Sequence, residues 1–205
     1  MKKGLMLVIS GPAGSGKGTV NAHLFKTGDF VYSVSATTRA PRPAEVDGVN
    51  YHFISKEDFL SRIEHGDMLE YTEYCGNFYG TPLKEAEEVL ASGKNLILEI
   101  EVEGAENVKK KYPDAVLVLL LPPSYAVQEQ RLRGRGTETE DKIKKRLEKT
   151  FKEIPFAKEY DYIVFNPDGK SREAAEDIFA IVRAEKLASS RHTDIITKYF
   201  ENNKN

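Results

Sequence analysis

The sequence predicts an α/β protein built on a mostly parallel β-sheet with helices on both faces. Three observations support that class. Four short apolar runs, at residues 5–10, 95–100, 115–121 and 162–165, have the length and near-continuous apolar character of strands buried on both faces. The segments between them carry helical periodicity, so the order reads β-α-β-α. The first run passes directly into a glycine-rich turn and then a helical pattern, the arrangement of a phosphate-binding strand–loop–helix unit.

That unit comes first along the chain. Between the strand at 5–10 and a helix at 19–25 stand Gly11, Pro12, Ala13, Gly14, Ser15, Gly16 and Lys17, a P-loop. Its glycines let backbone N–H groups converge on phosphate oxygens, and the helix N-terminus adds about half a positive charge. Lys17 is placed to reach the β- and γ-phosphates of a nucleotide. The motif expects a serine or threonine after the lysine to ligate Mg²⁺, but Gly18 stands there and Thr19 follows. The metal is therefore expected to be held through water and nucleotide phosphates. Thr19 is expected to cap the helix or touch a phosphate.

Residues 35–81 break the βα rhythm. Pro41, Pro43, Gly48, Gly66, Gly76 and Gly80, with alternation at Tyr51-His52-Phe53-Ile54, have the texture of a small irregular or antiparallel β insertion. Within it Arg39 and Arg42 lie three residues apart in a proline-fixed loop. Guanidinium forks so placed suit a phosphate clamp, because they pair bidentately with phosphate oxygens. Downstream, Glu70, Tyr74, Tyr79 and Thr81 combine a carboxylate acceptor, phenols and a hydroxyl.

Further on, residues 131–141 hold glycines and charges but no apolar face, and read as a mobile loop. A helix is predicted over 138–156, with Ile143, Leu147, Phe151 and Ile154 on its apolar face and Thr137 with Glu140 as a capping box. A last helix follows Gly169-Lys170-Ser171 and runs through Ile178, Ile181 and Val182. The tail, 191–205, reads as a short helix that frays.

Composition narrows the class of function. A formal net charge of −2 over 205 residues offers no global field for nucleic acid or a membrane surface. The single cysteine, Cys75, excludes an internal disulfide, fits a reducing compartment and reads as a packing residue. The apolar runs fall far short of the about 20 residues a membrane helix needs, and the amino-terminal run is too short for a signal peptide. A cytoplasmic protein without an anchor is expected. His23, His52, His65 and His192 are scattered, and no Ser-His-Asp set is evident.

Taken in order, the P-loop, the Ser-Ala-Thr-Thr-Arg-x-Pro-Arg segment ending at Arg42, residues 48–53, residues 76–81 and Arg-Gly-Arg-Gly-Thr-Glu at 133–138 resemble the signatures of the guanylate kinase family. The resemblance spans about residues 4–187. It implies a single domain in three parts: a P-loop NTPase core (about 1–34, 82–130 and 147–205), a mixed α/β GMP-binding insertion (about 35–81) and a mobile lid (about 131–146). It implies GMP and ATP as substrates, with dGMP as a further acceptor, and Mg²⁺ as the metal. By carry-over, Arg39, Arg42, Tyr51 and Tyr79 hold the GMP phosphate, while Ser35, Glu70 and Thr81 read the base. Arg131, Arg135 and Arg146 close on the ATP phosphates together with Lys17, and Asn166 lies near the adenine. Oligomeric state stays open.

A guanine edge offers two adjacent N–H donors that one carboxylate can accept. Adenine offers no such pair, and a buried carboxylate left unpaired rejects it by roughly 10⁴-fold. No general base is required, since the GMP phosphate is already an anionic nucleophile and catalysis rests on positioning and surrounding cations. The chain departs from the family pattern in several places. Glu99 and Glu101 replace aspartates, the first a support for magnesium-bound water and the second a guanine contact, and Glu103 replaces a glutamine. Ala44 stands for a glycine, and Pro167 follows Asn166 where an acidic residue is usual. Ribose 1,5-bisphosphate phosphokinases share the P-loop but have no use for a base-reading Glu70 and Thr81. Kinase-like binding modules typically lack an intact P-loop.

Overall fold

The computed structural model describes residues 3–74, 76–134, 136 and 138–201. Its strands are β1 (Met6–Ser10), β2 (Phe30–Tyr32), β3 (Ala36–Thr37), β4 (His52–Phe53), β5 (Met68–Tyr74), β6 (Asn77–Pro82), β7 (Asn95–Leu98), β8 (Val116–Leu121) and β9 (Tyr162–Phe165). Its helices are α1 (Lys17–Phe25), α2 (Lys56–Glu64), α3 (Leu83–Ala91), α4 (Val102–Lys111), α5 (Tyr125–Gly134), α6 (Glu140–Glu153), α7 (Ser171–Leu187) and α8 (Ile195–Glu201). The core sheet has the order β2-β7-β1-β8-β9, and each neighbouring pair is parallel.

Strand alternation sorts the core into two layers. Leu7, Ile9, Ile97, Val118, Leu120 and Val164 face α1 and α7, where Val20, Leu24, Ile178 and Val182 meet them. Met6, Val8, Leu96, Leu98 and Leu117 face α3 and α4 through Ala86, Leu90, Ala105 and Val108. Burying one such Leu, Ile or Val contributes about 1.5–3 kcal/mol, so both layers are strong and the sheet is a rigid platform. Loops at the carboxyl ends of its strands are where ligands bind in open α/β sheets. Here those loops are the P-loop after β1 and the Glu99–Glu101 segment after β7.

The insertion at 35–81 is a mixed α/β unit rather than a purely antiparallel one. It forms a second sheet, β4-β3-β6-β5, in which β3 and β4 are parallel and the other pairs antiparallel. Helix α2 covers it, started by Ser55, whose hydroxyl accepts the Asp58 N–H at 3.0 Å. Its small core is Ala36, Phe59 and Met68, with Phe78 stacked on Phe59 at 5.5 Å.

Several sequence expectations are corrected. Strand β7 stops at Leu98 rather than Ile100. Residues 131–134 belong to α5, because Leu132 gives that stretch a buried face against Ile143 and Leu147. Helix α6 ends at Glu153, and a 3₁₀ segment, Ile154–Glu159, follows with Pro155 in its first turn. Phe151 and Ile154, expected on the apolar face, are 67% and 42% exposed. The narrow buried stripe of α6 continues instead through Thr150, whose hydroxyl accepts from Gln128 Nε2 at 2.7 Å. Thr139, not Thr137, is the N-cap of α6, and Glu140 pairs with Arg133. Thr137 and Cys75 lie outside the described residues. Among the described residues no helix is long and apolar enough to cross a membrane.

Candidate active site

The P-loop leaves β1 at Gly11 and ends in α1, so its backbone wraps the amino end of a helix. Gly16 is the N-cap, with φ 90°, and a Cβ there would sit 2.3 Å from Asn166 Nδ2. Only glycine satisfies both the left-handed backbone and that close approach. Ser15 accepts the Asn166 amide on its carbonyl at 2.8 Å. Its own hydroxyl is buried with no hydrogen-bond partner among the described residues. Pro12 and Gly14 are buried, and Ala13 packs on Leu132, Ile143 and Leu147. Lys17 opens α1, half-buried, and its ammonium donates to the Gly11 carbonyl. Gly18 and Thr19 occupy the exposed first turn. Since Gly16 is the cap, Thr19 does not cap the helix; its N–H donates to Gly16.

Arg131 braces this loop. Its guanidinium donates to the Gly14 carbonyl at 3.2 Å, the Asn166 carbonyl at 2.7 Å and Asp168 Oδ1 at 2.7 and 2.9 Å. Asn166 is buried at the end of β9, beneath the P-loop. Arg146 is exposed on α6 and ion-pairs with Glu138 at 2.8 Å. Arg135 lies outside the described residues. Gln128, which the sequence did not mark, is buried on α5 and donates to both the Ala13 carbonyl and Thr150, tying P-loop, α5 and α6 together. A glutamine in a polar helical stretch carries no sequence signal for that role.

A second feature opens between the insertion and the core. Ser35, Tyr51, Glu70, Thr72, Tyr79, Gly80, Glu99, Ile100, Glu101 and Gly104 line a cavity of about 240 Å³. The pairing of β5 with β6 sets Glu70 opposite Thr81. Thr81 is fully buried and its hydroxyl donates to Glu70 Oε1 at 2.8 Å. Burial pushes the Glu70 carboxyl above the ordinary value, opposed by the Thr81 hydroxyl and N–H and by the charge of Lys111. Glu70 is only 6% exposed and lines the cavity, so its remaining acceptor capacity faces that cavity rather than open solvent. Glu99 accepts from Asn21 of α1 at 3.0 Å, which sets this cavity beside the P-loop helix.

Arg39 packs beside the cavity, against the ring of its lining residue Tyr51. Arg39 lies 5.6 Å from the ring centre of Tyr51 and 5.8 Å from that of Phe53. Tyr51 meets Tyr79 edge-on at 6.0 Å. Arg39 Nη2 donates to both oxygens of Glu45 at 2.8 and 2.9 Å, and the Arg42 N–H donates to the same carboxylate at 2.8 Å. Arg42 itself is exposed. Glu45 is the acidic member that residue reading missed; its spacing of three from Arg42 inside a proline-rich turn was the available signal. Its carboxyl is held below the ordinary range by the Arg42 N–H and the Arg39 guanidinium. Glu101 is exposed where it lines the cavity and ion-pairs with Lys149 at 2.7 Å.

A P-loop at the carboxyl edge of a parallel sheet, beside a cavity lined by a buried carboxylate, defines a nucleotide-binding protein of the P-loop class. More narrowly, the chain belongs to the guanylate kinase family, whose model matches residues 3–184. It is 48% identical over 202 residues to a guanylate kinase of Clostridioides difficile (strain 630), covering 98% of both chains. A guanylate kinase of Halalkalibacterium halodurans is 50% identical over 201 residues, covering 98% of this chain and 96% of that one. The crystal structure of guanylate kinase from Anaplasma phagocytophilum matches with a TM-score of 0.76 at 31% identity, covering 98% of this chain and 96% of that chain.

Proposed function

We propose that this protein transfers the γ-phosphoryl group of ATP to GMP, giving ADP and GDP, with dGMP as a further acceptor, in purine nucleotide metabolism. The observation that carries the reading is the buried Glu70 carboxylate, held by Thr81 and lining a cavity that adjoins the P-loop helix. Glu70 accepts the two adjacent N–H donors of guanine while Thr81 keeps the carboxylate oriented; Ser35 and Glu101 complete the base contacts. Arg39, Arg42, Tyr51 and Tyr79 bind the GMP phosphate and present one of its oxygens to the γ-phosphorus. ATP lies along residues 11–19 with its adenine near Asn166.

The reaction forms one O–P bond and breaks another, so the protein's contribution is alignment and cations around the transferred group. Lys17 supplies one such charge. Arg146 and Arg135 supply others from the lid, and Arg131 holds the P-loop and Asn166 in register. The donor set fits Mg²⁺: Glu99 stands beside α1, Thr19 is exposed in its first turn, and the buried Ser15 hydroxyl has no hydrogen-bond partner among the described residues. Glu99 and Thr19 would hold the ion through water rather than by direct bonds, since Gly18 offers no hydroxyl. When bound, the ion supplies charge neutralisation on the ATP phosphates.

The insertion and lid close over the bound pair and exclude water from the transfer. Small-angle scattering checks this closure: the radius of gyration should fall when GMP and a non-hydrolysable ATP analogue are both present, and identical curves would refute it. ADP formation with GMP as acceptor tests the activity itself.

A further inference from the structure

We infer that Lys149 is a positioning residue for base recognition, holding Glu101 at the base cavity and joining that cavity to the root of α6. The inference rests on the GMP reading above. Glu101 is the N-cap residue of α4, in extended backbone with φ −76° and ψ 168°, and makes no side-chain cap bond. Its own helix therefore does not orient its carboxylate. Its side chain is 63% exposed, and its Oε2 lies 2.7 Å from Lys149 Nζ.

The pairing answers two physical problems. Glu101 shares the cavity lining with Glu70 and Glu99, so three acidic side chains converge on one cavity. Lys149 supplies a cation at the rim, as Lys111 does toward Glu70. A glutamate also has one more rotatable bond and about 1.5 Å more reach than an aspartate, so without a tether it samples orientations that do not face the base. The ion pair selects one.

Lys149 has a second carboxylate within reach. Glu153, one turn further along α6 and 15% exposed, lies 3.7 Å away. Burial raises its pKa, while Lys149 and Lys17 lower it and Glu101 raises it. One ammonium thus stands between a carboxylate of the base cavity and a carboxylate in the field of the P-loop lysine. The ion pairs are partly exposed, so little folding stability depends on them. The effect falls on GMP affinity.

The test compares Lys149→Met, Lys149→Arg, Glu101→Gln and the Lys149→Met/Glu101→Gln double variant, after GMP turnover by the wild type has been established. Absence of that turnover would overturn the functional reading itself, before any variant is made. Lys149→Met should raise the KM for GMP about two- to fivefold, the range an exposed ion pair supports. The KM for ATP, kcat and melting temperature should stay at wild-type values. Lys149→Arg should restore the KM, and in the Glu101→Gln background Lys149→Met should add nothing. An unchanged KM for GMP, an equal rise for ATP, or an undiminished effect in the Glu101→Gln background would each overturn the inference.

Discussion

Replacing Lys17 by methionine is expected to lower kcat for ADP formation by about 10²- to 10³-fold, the loss typical when one preorganised charge donor is removed. Lys17 opens α1 at the end of the P-loop, and its ammonium donates to the Gly11 carbonyl. Phosphoryl transfer spreads charge over the equatorial oxygens, so a cation at this position stabilises the transition state more than bound ATP. Methionine keeps the apolar stem and leaves the loop packed. Separate measurement of kcat and KM decides the matter: a rise in the KM for ATP with kcat intact would make Lys17 a ground-state anchor only.

Glu70→Gln should lower kcat/KM for GMP by about 10²- to 10³-fold, because two charge-assisted hydrogen bonds to the base are lost and an amide donor now faces donors. The KM for ATP should not move. The same variant has a pH signature in its stability. Burial raises the folded-state pKa of Glu70 above its ordinary value of 4.5. The folded protein therefore binds that proton more tightly than the unfolded chain, and stability is lost as pH rises from about the ordinary value through the folded one. Glutamine does not titrate, so the melting temperature of the variant, relative to wild type, should climb across that window. Wild-type affinity for GMP should rise in the same direction, since the ionised carboxylate is the acceptor. A pH-independent difference in melting temperature would contradict this account of Glu70.

The core was legible because its physics is local. Continuous apolar runs named β1, β7, β8 and β9, and Gly11 to Lys17 named the phosphate cradle from residue type and spacing alone. Strand β2 was missed, since Phe30, Val31 and Tyr32 are too few to show a period and draw their order from pairing with β7. Helix α6 was expected, but it ends at Glu153 rather than 156 and its face was misjudged beyond Leu147. Phe151 turns outward to meet Tyr125 at 5.2 Å, while Thr150 is buried through its bond to Gln128. A hydrogen bond between distant polar residues leaves no trace in hydrophobic periodicity.

The candidate site divides the same way. Arg39 and Arg42 were visible as a proline-fixed pair, whereas the Glu45 carboxylate that holds Arg39 was not. Glu70 drew attention as a carboxylate, but its burial and its bond to Thr81 depend on the β5–β6 register. Arg131 was expected to close on the ATP phosphates from the lid. In the structure it is committed to Gly14, Asn166 and Asp168, contacts that span well over a hundred positions in sequence at their widest.

The most direct test measures ADP formation from ATP and Mg²⁺ with GMP, AMP, CMP, UMP and ribose 1,5-bisphosphate supplied in separate reactions. Rapid turnover with GMP, and background rates with the other four acceptors, is the predicted result. Turnover with another of these acceptors but not with GMP would contradict the assignment of the Glu70 cavity to guanine, and silence with all five would contradict the assignment of phosphoryl transfer itself.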